Sequence, residues 1–169
     1  TGAAYLAAMG ALRSGAGLVT IAAPRSCLPI LASMAPEYMT EGLAEERGRV
    51  SPAALDQVVE FRQDVIACGP GLGRSAAVAA FVKGLLDRSS SPIVLDADAI
   101  TVLADDPGRV SGSDERDVII TPHPGEMARL VGMSVDDVQA NRIQVATDFA
   151  TTHHVYVVLK GHRTVIATP

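Results

Sequence analysis

The stretch "DVIITPHPGEMARL", residues 117–130, changes character twice within a few residues. Val118, Ile119 and Ile120 make a short β-branched run of the kind a buried strand requires. Thr121, Pro122, His123 and Pro124 follow, then Gly125 and an apolar, helix-compatible run. Each proline fixes its own φ and pushes the residue before it toward extended geometry, so Thr121 and His123 are held stiffly. A strand that ends in a rigid loop and resumes as a helix is part of a βαβ unit. Stiffness at a loop tip suggests that His123 is placed for a ligand; a histidine hydrogen-bonded within its own loop is the plainer alternative. Glu126 either accepts from a ligand or caps the helix, and the cap is the better reading.

Outward from this stretch, similar apolar runs recur: "GLVTIAAP" (17–24), "DVIACGPG" (64–71), "PIVLDADA" (92–99), "VYVVLKG" (155–161) and "TVIATP" (164–169). They are continuously apolar rather than alternating, as strands buried on both faces are. Helical patterns separate them. An Ala-rich one covers 2–14 and stops at Gly15; another starts at Ser51-Pro52 and puts Leu55, Val58 and Val59 on one face. A third, about Ser75 to Arg88, aligns Val78, Phe81, Val82 and Leu85 at sheet-facing spacing. A fourth begins at Ser134, with Asp137 at capping-box spacing, and continues to about Thr152. This alternation predicts an α/β domain with a mainly parallel central sheet. The last two strands are close enough to form an edge hairpin. The polar stretches 40–51 and 105–117 are expected to be exposed loops.

The composition fits one globular domain: 48% hydrophobic and 20% charged residues, with aromatics at only 4%, so the core is built from Ala, Val, Leu and Ile. A net charge of -5 without a basic cluster disfavours nucleic-acid and membrane-surface partners. No apolar run approaches the ~20 residues of a membrane span. Cys27 and Cys68 form no CxxC pair and read as small buried hydrophobes in a reducing compartment. No His, Cys and Asp grouping has zinc spacing, so no metal ligand set is assigned.

In open parallel sheets, ligands bind beyond the carboxyl ends of the strands. Here those ends carry "GPGLG" (69–73), "DADA" (96–99), "PHPGE" (122–126) and "KGHRT" (160–164), which a parallel sheet would bring to one crevice. The glycines of 69–73 can admit positive φ and expose amides to an anion, though alone a plain tight turn explains them better. On extended chain Asp96 and Asp98 point to one side; one is read as capping the next helix, the other as facing the crevice. Lys160 and Thr164 suit a phosphate, and a hairpin turn with a solvated lysine explains them equally well. His153 and His154 are expected at the surface.

Taken together, "TGAAYLAAMGALRSGAGLVTIAAP", "ACGPGLGR", "IVLDADAIT", "ITPHPGEMARL" and "VVLKGHRTVIATP" resemble the ADP- or ATP-dependent NAD(P)H-hydrate dehydratases of the ribokinase-like superfamily, in order and across the whole chain. The resemblance implies a ribokinase-like three-layer α/β/α fold and a single domain over 1–169, lacking both ends of the family's domain. It implies ADP or ATP with Mg²⁺, and the hydrated cofactors NADHX and NADPHX as substrates, returned to NADH and NADPH. The nucleotide would phosphorylate the C6 hydroxyl of the S form, and the ring nitrogen's lone pair would then expel phosphate. Phosphoryl transfer of this kind needs positioning and anion stabilisation more than an elaborate acid–base pair.

Residue by residue, the resemblance places Ala3, Gly71 or Gly73, and His123 against the hydrated cofactor. It places Lys160, Gly161, His162, Arg163 and Thr164 along the adenine nucleotide, with Asp98 nearby to order Mg²⁺ or substrate. The family's "GSGD"-type segment, whose amides form an anion hole and whose Asp acts on the hydroxyl, is expected beyond Pro169. On that expectation the chain holds half a site, no catalytic residue of its own and little activity alone. A cytoplasmic, homo-oligomeric parent is expected. Two other functions remain in view: a ribokinase-like kinase for a vitamin-precursor alcohol, against which "TPHPGE" argues, and a non-catalytic nucleotide-binding module.

Overall fold

A computed structural model describes residues 1–169. Nine strands are present: β1 (Thr20–Pro24), β2 (Met39–Leu43), β3 (Glu45–Glu46), β4 (Arg49–Val50), β5 (Ile66–Cys68), β6 (Ile93–Leu95), β7 (Val118–Ile120), β8 (Tyr156–Leu159) and β9 (Val165–Ala167). Eight α-helices accompany them: α1 (Gly2–Arg13), α2 (Leu28–Met34), α3 (Leu55–Glu60), α4 (Ala76–Arg88), α5 (Asp98–Leu103), α6 (Pro124–Val131), α7 (Val135–Ala140) and α8 (Arg142–His153).

The central sheet has the order β5-β6-β7-β8-β9. Its first four strands are parallel, and β9 returns antiparallel to β8 as the expected edge hairpin. Neighbouring parallel strands are joined through helices, so every strand end from β5 to β8 emerges on one side of the molecule. The α/β reading with a mainly parallel sheet therefore holds.

One face of this sheet carries Cys68, Ile93, Leu95, Val118, Ile120, Val157, Leu159 and Ala167, all buried. They share a single core with Val78, Phe81, Val82 and Leu85 of α4, Ile100 and Leu103 of α5, Met127 of α6 and Phe149 of α8. The stripe expected on α4 is thus its packed face, and Ser75 Oγ caps that helix by accepting from Val78 N at 3.1 Å. The register puts Ala67, Val94, Ile119 and Tyr156 on the other face. There, burial is partial or absent, and Ile166 beside Val158 is 70% exposed. Burial on both faces, expected from the apolar runs, is met on one face of these strands. Composition states what a strand can bury, not which neighbours are at hand.

Several local expectations are corrected. Strand β1 lies outside the central sheet and pairs in parallel with β2, burying only Ile21 and Ala23. Residues 40–51, expected as a loop, hold most of β2 and the β3–β4 hairpin; Leu43 and Val50 are buried and anchor them. Two apolar anchors among polar neighbours leave too weak a period to recognise. Stretch 105–117 is mostly loop, but Val110 is buried within it. Ser51 opens a 3₁₀ turn at Pro52–Ala54 before α3 and makes no side-chain cap. The helix expected from Ser134 to about Thr152 breaks at Asn141, where φ −125° and ψ 33° leave the helical region. Ser134 does cap as expected, accepting from Asp137 N at 3.0 Å.

Cys68 is buried, as expected, and burial pushes its thiol up to about 12. Cys27 is only partly buried. His154 is exposed in the left-handed region, but His153 is not a free surface residue: its ring stacks on Phe149 at 4.1 Å between centroids.

Candidate functional site at the strand ends

The four expected loops meet above β5 to β8, in sheet order. The glycine loop closes most tightly. Gly69, at φ +134°, is packed so closely that a Cβ there would stand 1.7 Å from the carbonyl oxygen of Asp96. Only glycine lets these two strand ends approach backbone to backbone. Gly71 (φ +75°) faces α1: a Cβ built on it would lie 3.3 Å from Ala3 Cβ. The structure thus brings Ala3 and Gly71 together although they are far apart in sequence. Gly73 (φ +75°) lies against the Arg49 side chain of β4.

The two aspartates diverge. Ala97 between them has φ +52° and ψ −117°, so the extended geometry expected there is absent. Asp98 turns toward the glycine loop, where Oδ2 accepts from Gly73 N at 2.8 Å and Oδ1 from Arg74 Nε at 3.3 Å. Asp96 turns the opposite way along the sheet, and its Oδ1 accepts from Lys160 Nζ at 2.5 Å. Neither carboxylate caps α5 through its side chain, contrary to expectation. Partial burial opposes ionisation of Asp96, but the hydrogen bond from Lys160 and the lysine charge outweigh it. Its carboxyl is held below the ordinary value.

His123 serves as N-cap of α6. Its Nδ1 accepts from Gly125 N at 3.0 Å and Glu126 N at 3.2 Å, while Glu126 Oε2 accepts from His123 N at 2.8 Å. This is a reciprocal capping box with an imidazole in the usual Ser or Thr place. The cap expected of Glu126 is present, and its side chain is buried. A neutral ring that accepts at Nδ1 carries its proton on Nε2. Nε2 is 3.4 Å from Glu126 Oε1, and the ring remains half-exposed. His123 can therefore offer a donor to a ligand while holding the helix start.

The turn 160–164 joins β8 to β9. Its Lys160 N donates to Pro122 O at 2.8 Å, tying it to the rigid TPHP loop. Thr164 Oγ1 donates to Gly161 O at 3.2 Å, so that hydroxyl is engaged within the turn. Gly161 (φ +145°) and Arg163 (φ +58°) give the turn its shape. His162, Arg163 and Thr164 are exposed.

Sequence reasoning missed Arg49 and Arg74, which flank the glycine loop, and Arg142, which reaches the 160–164 turn from the start of α8. Arg74 closes the segment ACGPGLGR, where no role attaches to it, and Arg49 and Arg142 stand in no motif. Arg142 in particular lies inside what reads as an unbroken helix pattern, and only the break at Asn141 exposes its position.

The sequence model described as NAD(P)H-hydrate dehydratase matches residues 1–169. The chain is similar to a bifunctional NAD(P)H-hydrate repair enzyme of Moorella thermoacetica, 47% identical over 172 residues, covering 100% of this chain and 32% of that protein. It is similar to the ADP-dependent (S)-NAD(P)H-hydrate dehydratase of Bacillus subtilis, 35% identical, covering 99% of this chain and 56% of that protein. Among solved structures, the Bacillus subtilis ADP/ATP-dependent NAD(P)H-hydrate dehydratase co-crystallized with ATP/Mg²⁺ superposes with TM-score 0.78 at 32% identity. That match covers 99% of this chain and 56% of the solved one. A ribokinase-like superfamily protein of Enterococcus faecalis gives TM-score 0.79 at 29% identity, covering 99% and 55%. The chain spans about a third to somewhat over half the length of these relatives.

Proposed function

The chain belongs to the NAD(P)H-hydrate dehydratase family, with its ribokinase-like α/β fold, and on that premise we propose that its parent protein repairs hydrated nicotinamide cofactors. The proposed reaction is nucleotide-driven dehydration of the S form of NADHX or NADPHX. The terminal phosphoryl group of ADP or ATP passes to the oxygen of the C6 hydroxyl, which loses its proton. The ring nitrogen's lone pair then breaks the C–O bond and expels phosphate, and loss of a neighbouring ring proton restores the dihydronicotinamide. The observation that carries the reading is the meeting of four family loops at one sheet end, with Ala3 against Gly71 and Lys160 tied to Asp96.

In this reading Ala3, Gly71 and Gly73 form a surface without bulk on which the hydrated cofactor rests. His123 Nε2 donates to it, and the Nδ1 cap fixes the ring's direction. Lys160 through Thr164 line the nucleotide. Asp98 acts by holding the Gly73 amide, and so shapes the glycine loop. Magnesium would supply charge neutralisation on the phosphates. An ion of that kind, held mainly by phosphate oxygens and water, needs only one or two protein carboxylates. Asp98 beside the glycine loop, or Asp96 beside Lys160, would supply such a minor share. No side chain of residues 1–169 is assigned to take the hydroxyl proton. No helix is long and apolar enough to cross a membrane, and a cytoplasmic homo-oligomer belongs to the same proposal.

The test is to give the intact protein hydrated NADH with ADP or ATP and follow the reduced-nicotinamide absorbance. Its return, with one phosphate released per cofactor, is the expected result. Accumulation of a stable phosphorylated alcohol instead would mean a small-molecule kinase. Nucleotide binding without turnover would mean a binding module.

A further inference from the structure

The turn 160–164 is held from behind by a side chain outside every recognised motif. Arg142, the first residue of α8, directs Nη2 at three carbonyl oxygens of this one turn: Leu159 at 2.9 Å, Lys160 at 3.3 Å and Arg163 at 3.5 Å. Its Nη1 donates to Gln139 Oε1 at 3.1 Å, which braces the guanidinium against α7. Gly161 completes the fit. A Cβ there would fall within 2.4 Å of Nη1, so the absence of a side chain makes room for the cation. Nε is buried without a hydrogen-bond partner, a cost accepted where the planar group is wedged in place.

The direction of these contacts matters. In a peptide plane the carbonyl and the next amide point opposite ways. With the carbonyls of Leu159 and Lys160 turned to Arg142, the following amides are turned away from it. Lys160 N indeed donates in the other direction, to Pro122 O. The amides of Gly161, His162 and Arg163 find no acceptor within the chain. Positive φ at Gly161 and Arg163 turns the chain sharply between β8 and β9, and the Gly161 amide is left without a partner on the side away from Arg142.

We propose that Arg142 is the positioning residue of this turn: by holding the carbonyls of Leu159 and Lys160 on one side, it leaves the Gly161 amide, beside Lys160, facing the nucleotide's phosphates. The proposal rests on the reading that the 160–164 turn meets the adenine nucleotide. Arg142 touches no reacting atom and acts only through the turn. Lysine cannot replace it, because a single ammonium lacks the planar fork that reaches several acceptors at once.

The test compares Arg142→Lys and Arg142→Gln with the unsubstituted intact protein, varying nucleotide and hydrated NADH separately. The nucleotide KM should rise ~10-fold or more in both variants, and the hydrated-cofactor KM should stay within about twofold. Millimolar guanidinium ion should recover part of the loss in Arg142→Gln. Equal rises in both KM values, or an unchanged nucleotide KM in folded Arg142→Lys, overturn the proposal. Calorimetry on the unsubstituted protein separates the premise: if it binds no adenine nucleotide, the reading of the turn fails before any substitution is made, and the proposal falls with it.

Discussion

Lys160 Nζ stands 2.5 Å from Asp96 Oδ1, joining residues 64 apart in sequence across the end of β7. The pair links the loop after β6 to the turn after β8, and both partners are partly exposed. It sets the resting position of the one lysine in the 160–164 turn.

Asp96→Asn keeps the shape and removes the charge. At neutral pH the variant should lose ~1 kcal/mol or less, as partly exposed pairs do. The native carboxyl is depressed, so its contribution is full above the unfolded value near 3.9 and is lost as pH falls through the lower folded value. Urea melts should show a constant gap from pH 7 to about 5 that closes under strong acid. A gap that persists at pH 2 would place the stabilisation elsewhere.

His123 caps α6, and the proposed function gives it a second role at the hydrated cofactor; different substitutions separate the two. His123→Ala removes the α6 cap and should cost ~1 kcal/mol, whereas His123→Asn should keep most of that stability. Both should weaken hydrated-cofactor binding while leaving nucleotide binding nearly unchanged. If His123→Asn binds the hydrated cofactor as tightly as the native protein, the imidazole is only a cap.

Gly69 and Gly71 should respond differently to alanine. At Gly69 the new Cβ meets the Asp96 carbonyl at 1.7 Å, so β5 and β6 must separate. Gly69→Ala should lose ~3 kcal/mol or more and express poorly. At Gly71 the Cβ meets only Ala3 Cβ at 3.3 Å, so the cost is chiefly the positive φ, ~1 kcal/mol. Thermal melts of the two variants give the comparison, and equal losses would contradict it.

The imidazole of His153 is pulled below its ordinary value, chiefly by burial, with a hydrogen bond to Val110 partly opposing the shift. The unfolded chain therefore binds the proton more readily, and stability falls as pH drops below about 6.5. His153→Phe keeps the stacking on Phe149 and should flatten stability between about pH 7 and 5. An unchanged pH profile would assign that slope to other groups.

Much of this was legible beforehand. The α4 stripe of Val78, Phe81, Val82 and Leu85 repeats at helical spacing, and the same four residues are buried in the core. The runs at 66–68, 93–95 and 118–120 stand between turn residues, and each became a strand. β2 escaped notice because its contacts are with β1, far back in the chain, and its own residues alternate too weakly. The helix break at Asn141 was equally hidden, because the apolar spacing continues across it.

By itself, the sequence determined the alternation of strand and helix through the central sheet, the family of the chain and which segments lie at the strand ends. Those properties reside in local composition and in spacing along the chain. Only the tertiary structure decided which partners those segments take. Asp96 and Asp98 look alike in "DADA", yet the positive φ of Ala97 sends one to Lys160 and the other to Gly73. Arg142 has no local signature at all, and its place behind the 160–164 turn comes from where α8 begins against β8. Such pairings are set by packing between segments distant in sequence, and no local pattern encodes them.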